Sequence, residues 1–90
     1  MLEYDRKKLG EYLRDARTKT GLTQGYVSSK LGYSSPQFIS NIERGTSVAP
    51  LEMLARLVKI YKSNPDDVVD IILTSQKLLV RKSLKGSGKR

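Results

Sequence analysis

The sequence predicts an all-α fold of five helices in a single domain. Apolar residues recur at spacings of three and four along most of the chain, and no segment keeps the two-residue alternation of a half-buried strand. Capping residues precede several of these apolar segments and glycines follow them, as expected where helices start and stop. The length of 90 residues leaves room for one hydrophobic core and hardly for a second.

The first helix is predicted over about 5–19, where Lys19 and Gly21 end it. One of its faces is apolar and carries Leu9, Tyr12, Leu13 and Ala16. The second helix lies in "TQGYVSSKLG", with Thr23 as its N-cap and Gly32 at its end. Its inward side is expected to hold Val27, Ser28 and Leu31.

The third helix lies in "SSPQFISNIERG", where Ser35 is expected to cap it and Pro36 to take its first position. Gly45 ends it. At about nine residues it is too short to be stable alone, so its neighbours must hold it. The side that docks on the domain is expected to carry Phe38, Ile39 and Ile42.

The fourth helix is expected over about 50–61, with an apolar face of Leu51, Leu54, Leu57, Val58 and Tyr61. The fifth opens at "NPDD", where Asn64 caps, Pro65 takes the first position and two aspartates face the positive end of the helix dipole. It is predicted to run to about Lys82. Its core-facing residues are expected to be Val68, Ile71, Ile72 and Leu79.

The composition disfavours whole classes of function. With no Cys and no His, the chain offers no disulfide, no thiolate metal site and no histidine base, so neither an enzyme nor a metal site is expected. No cofactor or small-molecule ligand is expected either, because the core is too small for a large enclosed cavity. No apolar run is long enough for a membrane span and the N-terminus lacks a signal-peptide core, so a cytoplasmic, nucleoid-associated location is expected.

The net charge of +8 is concentrated at the C-terminus, where residues 71–90 hold six basic residues and no acidic one. Residues 83–90 end in "KGSGKR" and are predicted to form a basic, disordered tail after a domain of residues 1–82. An anionic partner is expected, nucleic acid first and a membrane surface second. A tail that only aids solubility is the plain alternative.

The connection "GYSS" between the second and third helices is as tight as that of a helix-turn-helix, in which the second helix enters the major groove of DNA. The outer side of the third helix carries Gln37, Ser40, Asn41 and Arg44 at spacings of three and four. Gln and Asn pair with adenine through two hydrogen bonds, and Arg does so with guanine. A merely solvated helix face is the alternative for this pattern alone.

The order of motifs strengthens this interpretation. "LTQ" opens the second helix, "LG" closes it, "ISNIERG" ends the third and "PLEML" opens the fourth. In this order and spacing, about residues 6–73 resemble the Cro/C1-type (XRE-like) helix-turn-helix family. The resemblance implies a compact lambda-repressor-like fold that binds double-stranded DNA, a role in transcription regulation, and repression as its output.

The resemblance also implies residue roles. Base readout falls to Pro36, Gln37, Ser40 and Asn41. Contacts with the DNA backbone fall to Thr23, Gln24, Tyr33, Ser34, Ser35, Arg44, Thr46 and Ser47. An internal salt bridge is implied between Arg17 and Glu43. Two features depart from the family pattern: the turn is one residue longer than the commonest form, and Pro36, which offers no hydrogen-bond donor, occupies a position that is often a polar base reader.

A palindromic operator requires a symmetric dimer, and the fifth helix has more apolar residues than a small core needs. The dimer interface is therefore expected at Val69, Leu73, Leu78 and Val80. The alternative is that these residues extend the core. For the whole chain, the competing hypotheses are a protein-interaction module or antitoxin-like subunit with the same fold, and, least favoured, a small enzyme.

Overall fold

The computed structural model describes residues 3–88, with side chains to residue 86. It has five helices, α1 (Arg6–Lys19), α2 (Gln24–Lys30), α3 (Gln37–Glu43), α4 (Leu51–Tyr61) and α5 (Pro65–Gly88). No strand occurs in that range, so the all-α prediction is confirmed. None of the described helices is both long and apolar enough to cross a membrane.

Side-chain caps fix the starts of three helices. Asp5 accepts from the backbone N–H of Lys8 at 3.0 Å, and Thr23 accepts from that of Tyr26 at 3.0 Å. Asn64 accepts from the N–H of the second residue of α5 at 2.9 Å. Each such cap contributes about 1 kcal/mol to helix stability. The predicted caps at Thr23 and Asn64 are confirmed.

Two helix ends differ from the prediction. α3 begins at Gln37, because the backbone carbonyl of Pro36 already accepts the first helical bond from Ser40 and makes Pro36 the N-cap in place of Ser35. α5 runs through Gly88, so the segment predicted as a disordered tail is helical as far as it is described. Extending an existing helix gains a hydrogen bond for each residue fixed, without a new nucleation step. Residues 89 and 90 lie outside the described range.

The core lies around α1, which packs against α3, α4 and α5, while α2 packs against α3. Its buried apolar side chains come from all five helices, from the segment before α1 and from the connections that precede and follow α3: Tyr4, Leu9, Leu13, Val27, Leu31, Ile39, Ile42, Ala49, Leu54, Leu57, Tyr61, Val68 and Ile72. The inward faces predicted for α1, α2 and α3 are confirmed, with Tyr12, Ala16 and Phe38 only partly buried.

Two leucines expected in the core are exposed. Leu51, at the first turn of α4, is 63% exposed and forms one wall of an open groove between α4 and α5. Leu79 is 42% exposed, because α5 has by then run past most of the domain and meets only the N-terminal segment around Tyr4. Both predictions relied on periodicity, which shows which face of a helix is apolar but not how much of that face other elements cover.

Gly10 is the point of closest approach between α1 and α3. A Cβ placed on Gly10 would lie 2.5 Å from the backbone carbonyl oxygens of both Ile42 and Glu43. Only a residue without a side chain therefore lets α1 reach the C-terminal end of α3. Sequence reasoning missed this role, although an isolated glycine inside a predicted helix is a known signal of such an approach.

The variant Gly10→Ala is therefore expected to destabilise the domain by about 1–3 kcal/mol, since overpacking outweighs the gain in helix propensity. Gly25→Ala is the matched control, because a Cβ there meets nothing within 4 Å. That control should stabilise the domain by up to about 1 kcal/mol. Urea denaturation measures both changes, and equal behaviour of the two variants would contradict the proposed packing role of Gly10.

Candidate nucleic-acid interface

α3 is held on the domain by its inner side. Ile39 and Ile42 are buried, and the ring of Phe38 stacks on that of Tyr33 with centroids 4.4 Å apart and an interplanar angle of 19°. Since Tyr33 belongs to the turn before α3, this stack fixes the turn against the helix. The opposite side of α3 is left free to meet a partner.

The outer side of α3 carries a short chain of polar contacts. The Oδ1 atom of Asn41 accepts from Nε2 of Gln37 at 2.9 Å and from Nη2 of Arg44 at 2.6 Å. Gln37 and Arg44 are exposed and Asn41 is half-buried between them. The structure thus brings together, on one helix face, three of the residues predicted to contact DNA.

The loop after α3 is anchored to the same residue. The backbone carbonyl of Asn41 accepts from the N–H groups of Thr46 and Ser47, at 3.0 and 3.3 Å, and from the Thr46 hydroxyl at 3.1 Å. Gly45 turns the chain with a φ of +79°, which favours glycine. The predicted backbone-contact loop therefore lies directly beside the outer side of α3.

A basic residue that sequence reasoning missed lies against this loop. A Cβ on Gly45 would lie 2.8 Å from Cα of Lys7, so the start of α1 and the loop after α3 touch. Lys7 and its neighbours Arg6 and Lys8 are exposed. No sequence signal placed these three consecutive basic residues beside α3, because the approach depends on how α1 crosses the domain.

Beneath α3 lies the predicted salt bridge, which the structure confirms. Arg17 donates to Glu43 from Nε at 2.6 Å and from Nη2 at 3.0 Å, and its Nη1 donates to the carbonyl of Leu22 at 2.8 Å. The two side chains are only 11% and 4% exposed. The hydrogen bond to Glu43 is the main cause that raises the pKa of Arg17, against the opposing effect of its burial.

Gln24 joins this pair from α2. Its Nε2 donates to Oε1 of Glu43 at 2.9 Å, and its side chain is half-buried. One carboxylate at the end of α3 thus connects α1, α2 and α3. Gln24 therefore braces α3 from below, whereas the phosphate contact expected of it depends on the part of the amide that stays exposed.

Tyr61 packs beside this cluster with its hydroxyl buried and without a hydrogen-bond partner. Burial raises the pKa of Tyr61, the Glu43 carboxylate raises it further, and Arg17 opposes them. Well below pH 10 both the folded and the unfolded chain keep this proton. As the pH rises above 10 the unfolded chain ionises first, so the free energy of unfolding falls with increasing pH.

Tyr61→Phe is therefore expected to be neutral or to stabilise the domain by about 1 kcal/mol at pH 7, since it removes an unpaired buried hydroxyl. It should also make the alkaline loss of stability shallower. Tyr26→Phe, on an exposed side chain, is the matched control and should leave both quantities unchanged. Thermal melts at pH 7 and above pH 10 measure the effect, and an unchanged alkaline slope in Tyr61→Phe would contradict it.

The remaining predicted contact residues lie around the same surface. Half-buried positions are held by Ser40 and Ser47. Exposed positions in the turn or at helix ends are held by Thr23, Tyr33, Ser34, Ser35, Pro36 and Thr46. Thr23 is already engaged as an N-cap, and Ser35 accepts from the N–H of Gln37 at 3.3 Å. The turn thus leaves two serines, Ser34 and Ser35, exposed just before Pro36 at the start of α3.

A buried tyrosine before α1 also escaped sequence reasoning. The hydroxyl of Tyr4 accepts from the N–H of Ala49 at 3.1 Å and lies 3.4 Å from its carbonyl oxygen, to which it donates. These two bonds fix the segment before α1 to the segment before α4. An aromatic residue outside the periodic pattern gives no signal of such a role.

The residues expected at a dimer interface fall on two sides of α5. Val69, Leu73 and Val80 lie in one exposed stripe, 46–58% exposed. Leu78 is also exposed but lies on another side of the helix, beside Tyr4 and Ile71. Only the first three therefore share a surface.

Within the described part of the chain, no three His, Cys, Asp or Glu side chains lie together as metal ligands would. Ser28 is buried at 1% exposure with its hydroxyl unpartnered, beneath α3. This position agrees with the inward placement expected for Ser28, and its small side chain lets α2 and α3 pack closely.

The comparison with protein families supports this geometry. A helix-turn-helix domain family matches residues 8–70, which include all of the elements around α2 and α3. Searches of curated proteins and of solved structures give no significant match. Helix-turn-helix domains of this kind bind DNA, which agrees with the exposed polar side of α3. Because the match covers more than two thirds of its length, the chain belongs to the helix-turn-helix domain family, within the XRE/Cro-like superfamily.

Proposed function

We propose that this protein binds double-stranded DNA in a sequence-specific manner, with α3 in the major groove, and acts as a small transcriptional repressor. The observation that carries the proposal is the outer side of α3, where Gln37, Asn41 and Arg44 form one hydrogen-bonded row. The amides of Gln37 and Asn41 are suited to read base edges through paired hydrogen bonds. The guanidinium of Arg44 beside them suits a phosphate of the DNA backbone. The buried inner side of α3 keeps this row in place.

Phosphate contacts would flank this row. Thr46 and Ser47 follow α3 in a loop anchored to Asn41, and Lys7 lies beside that loop. The turn before α3 offers the hydroxyls of Ser34 and Ser35 at the other end. Hydroxyl, backbone N–H and lysine groups are common phosphate partners and position a recognition helix without reading sequence.

Two further parts of the proposal follow from this mode of binding. A homodimer with α5 at its interface would present two copies of α3 to a palindromic operator, since protein symmetry is matched by operator symmetry. Repression would follow where the operator overlaps a promoter, because the bound domain then occludes the polymerase. The nucleoid is the expected location of such a protein.

The test is selection of bound duplexes from a random pool. The expected result is enrichment of one palindromic sequence, whose half-site spacing reports the dimer geometry. A reporter gene downstream of that sequence should then fall in expression when the protein is present. If no duplex is enriched and the protein shifts no fragment of its own promoter, sequence-specific binding is wrong, and a protein-interaction module or antitoxin-like subunit becomes the better explanation of the fold.

A further inference from the structure

α5 carries an apolar stripe that nothing covers in the described part of the chain. Its members are 46–66% exposed: Val69, Leu73, Val80 and Leu84. At 100° per residue all four fall within about 60° of one another around the helix axis. Every residue over 77–86 is exposed, so the second half of the stripe extends beyond the domain body.

The projection accounts for the shape of the molecule. The Cα trace measures 51 × 24 × 19 Å, and the 24 residues of α5 span about 36 Å at 1.5 Å per residue. A lone helical end with exposed leucine and valine is poorly stabilised in water, because most helical stability in proteins comes from packing an apolar face. A partner surface that buries the stripe along its full length would therefore stabilise α5.

The four residues of the stripe are placed symmetrically along α5, so their spacing is the same from either end of the helix. Val69 and Leu84 are equally far from the midpoint between Gln76 and Lys77, and so are Leu73 and Val80. Two copies of α5 placed antiparallel about that midpoint therefore bring apolar residues together along the whole stripe. A twofold axis relates such a pair, as in most homodimers.

The charges beside the stripe differ between its two halves. Its first half carries Asp66 and Asp70, and its second half carries Lys77, Arg81 and Lys85, all exposed. An antiparallel pair places the acidic half of one copy against the basic half of the other, whereas a parallel pair places like charges together. Opposite charges across an interface favour one orientation over the other.

A groove next to the stripe offers a further apolar surface to the second copy. It lies between α4 and α5, has a volume of about 640 Å³, and is lined chiefly by apolar residues that include Leu51, Val58 and Val69. In the antiparallel register, Leu84 of a second copy lies level with Val69. The projecting end of that copy would then cover the groove and the exposed Leu51.

We infer that the partner of α5 is a second copy of this chain, bound antiparallel with its twofold axis between Gln76 and Lys77 and with its Leu84 at the α4–α5 groove. The inference rests on the homodimer in the proposed function and specifies its interface. Because Leu78 lies on another side of α5, it has no part in this pairing.

Cysteine cross-linking tests the orientation, since the natural chain contains no cysteine. An equimolar mixture of Val69→Cys and Leu84→Cys is expected to form a disulfide between the two variants on mild oxidation. Neither variant alone should cross-link at a comparable rate, because two copies of residue 69 are about 22 Å apart along the axis in the antiparallel register. Self-cross-linking of each variant alone at the rate of the mixture would show a parallel pair and overturn the inference.

Sedimentation of matched variants tests the surface. Leu73 and Leu78 are 58% and 56% exposed, so an aspartate at either meets similar solvent in the monomer. Leu73→Asp is expected to weaken dimerisation by at least tenfold, and Leu78→Asp to leave it unchanged. A wild-type chain that stays monomeric at tens of micromolar, or equal effects of the two variants, would overturn the pairing.

The DNA experiment keeps the two proposals separate. If duplex selection still enriches one sequence while the chain sediments as a monomer, only the pairing is wrong. If the cross-link forms as expected and no duplex is enriched, only the proposed DNA recognition is wrong.

Discussion

Replacing Glu43 with alanine is expected to lower the free energy of unfolding by about 3–5 kcal/mol. The Glu43 carboxylate accepts two hydrogen bonds from Arg17 and one from Gln24, and it is 4% exposed. Without it, the guanidinium of Arg17 stays largely buried with only the carbonyl of Leu22 as an acceptor. The cost is mainly that of an uncompensated buried charge rather than of the lost attraction.

Thermal denaturation provides the measurement. For a domain of this length 1 kcal/mol corresponds to about 4–8 °C, so the melting temperature of Glu43→Ala should fall by more than about 10 °C. Glu11→Ala, which removes an exposed carboxylate from α1, is the matched control and should shift it by no more than a few degrees. A Glu43→Ala chain as stable as this control would contradict the argument.

The double variant Arg17→Met with Glu43→Leu separates the two contributions. Removing both charges leaves no unpaired ion, so this chain should recover much of the stability lost in Glu43→Ala. The affinity of this double variant for DNA should recover less than its stability does. The carboxylate also holds Gln24, and with it the position of α2 against α3, which an apolar side chain does not reproduce.

Much of this architecture follows from local chemistry. Thr23 and Asn64 cap their helices because a side-chain oxygen next to free N–H groups is favourable wherever it occurs in a chain. The inward placement of Leu9, Leu13 and Val27 follows from periodicity. The pairing of Arg17 with Glu43 did not follow from either. Those residues lie 26 positions apart, and only the family resemblance joined them.

The features that escaped the sequence depend on how distant segments cross. Gly10 matters because α1 passes over the end of α3, and Tyr4 because its hydroxyl meets the backbone of Ala49, 45 residues away. Leu79 carries the periodicity of a core residue, yet the domain ends before it. These features are determined by the tertiary structure. A helical pattern in the sequence contains no information about where the neighbouring elements end.

The residues proposed to contact DNA were predicted only in part. Sequence order predicted that Gln37, Asn41 and Arg44 share the outer side of α3, and the structure places them there. Their hydrogen bonds to one another were not predicted, because they depend on side-chain orientation. In the proposed complex these bonds would hold the amide of Asn41 in one orientation before it contacts a base.

Asn41→Ala is accordingly expected to lower affinity for the selected duplex by about 5–150-fold, the equivalent of about 1–3 kcal/mol for one bidentate base contact. Gln37→Ala should have an effect of the same kind but smaller. Oδ1 of Asn41 accepts from both Gln37 and Arg44, so its loss also releases Arg44, whereas loss of Gln37 leaves the Asn41–Arg44 bond intact. Affinity for random duplex should fall far less than affinity for the selected duplex in either variant.

Arg44→Ala is the contrasting variant, since Arg44 is expected to hold the DNA backbone. It should weaken the selected and the random duplex by similar factors and reduce the salt dependence of binding by about one phosphate contact. Gel-shift titrations of both duplexes at several salt concentrations distinguish the two patterns. If Asn41→Ala instead weakened both duplexes equally, Asn41 would not read a base. The row on α3 would then serve only to orient Arg44 toward a phosphate.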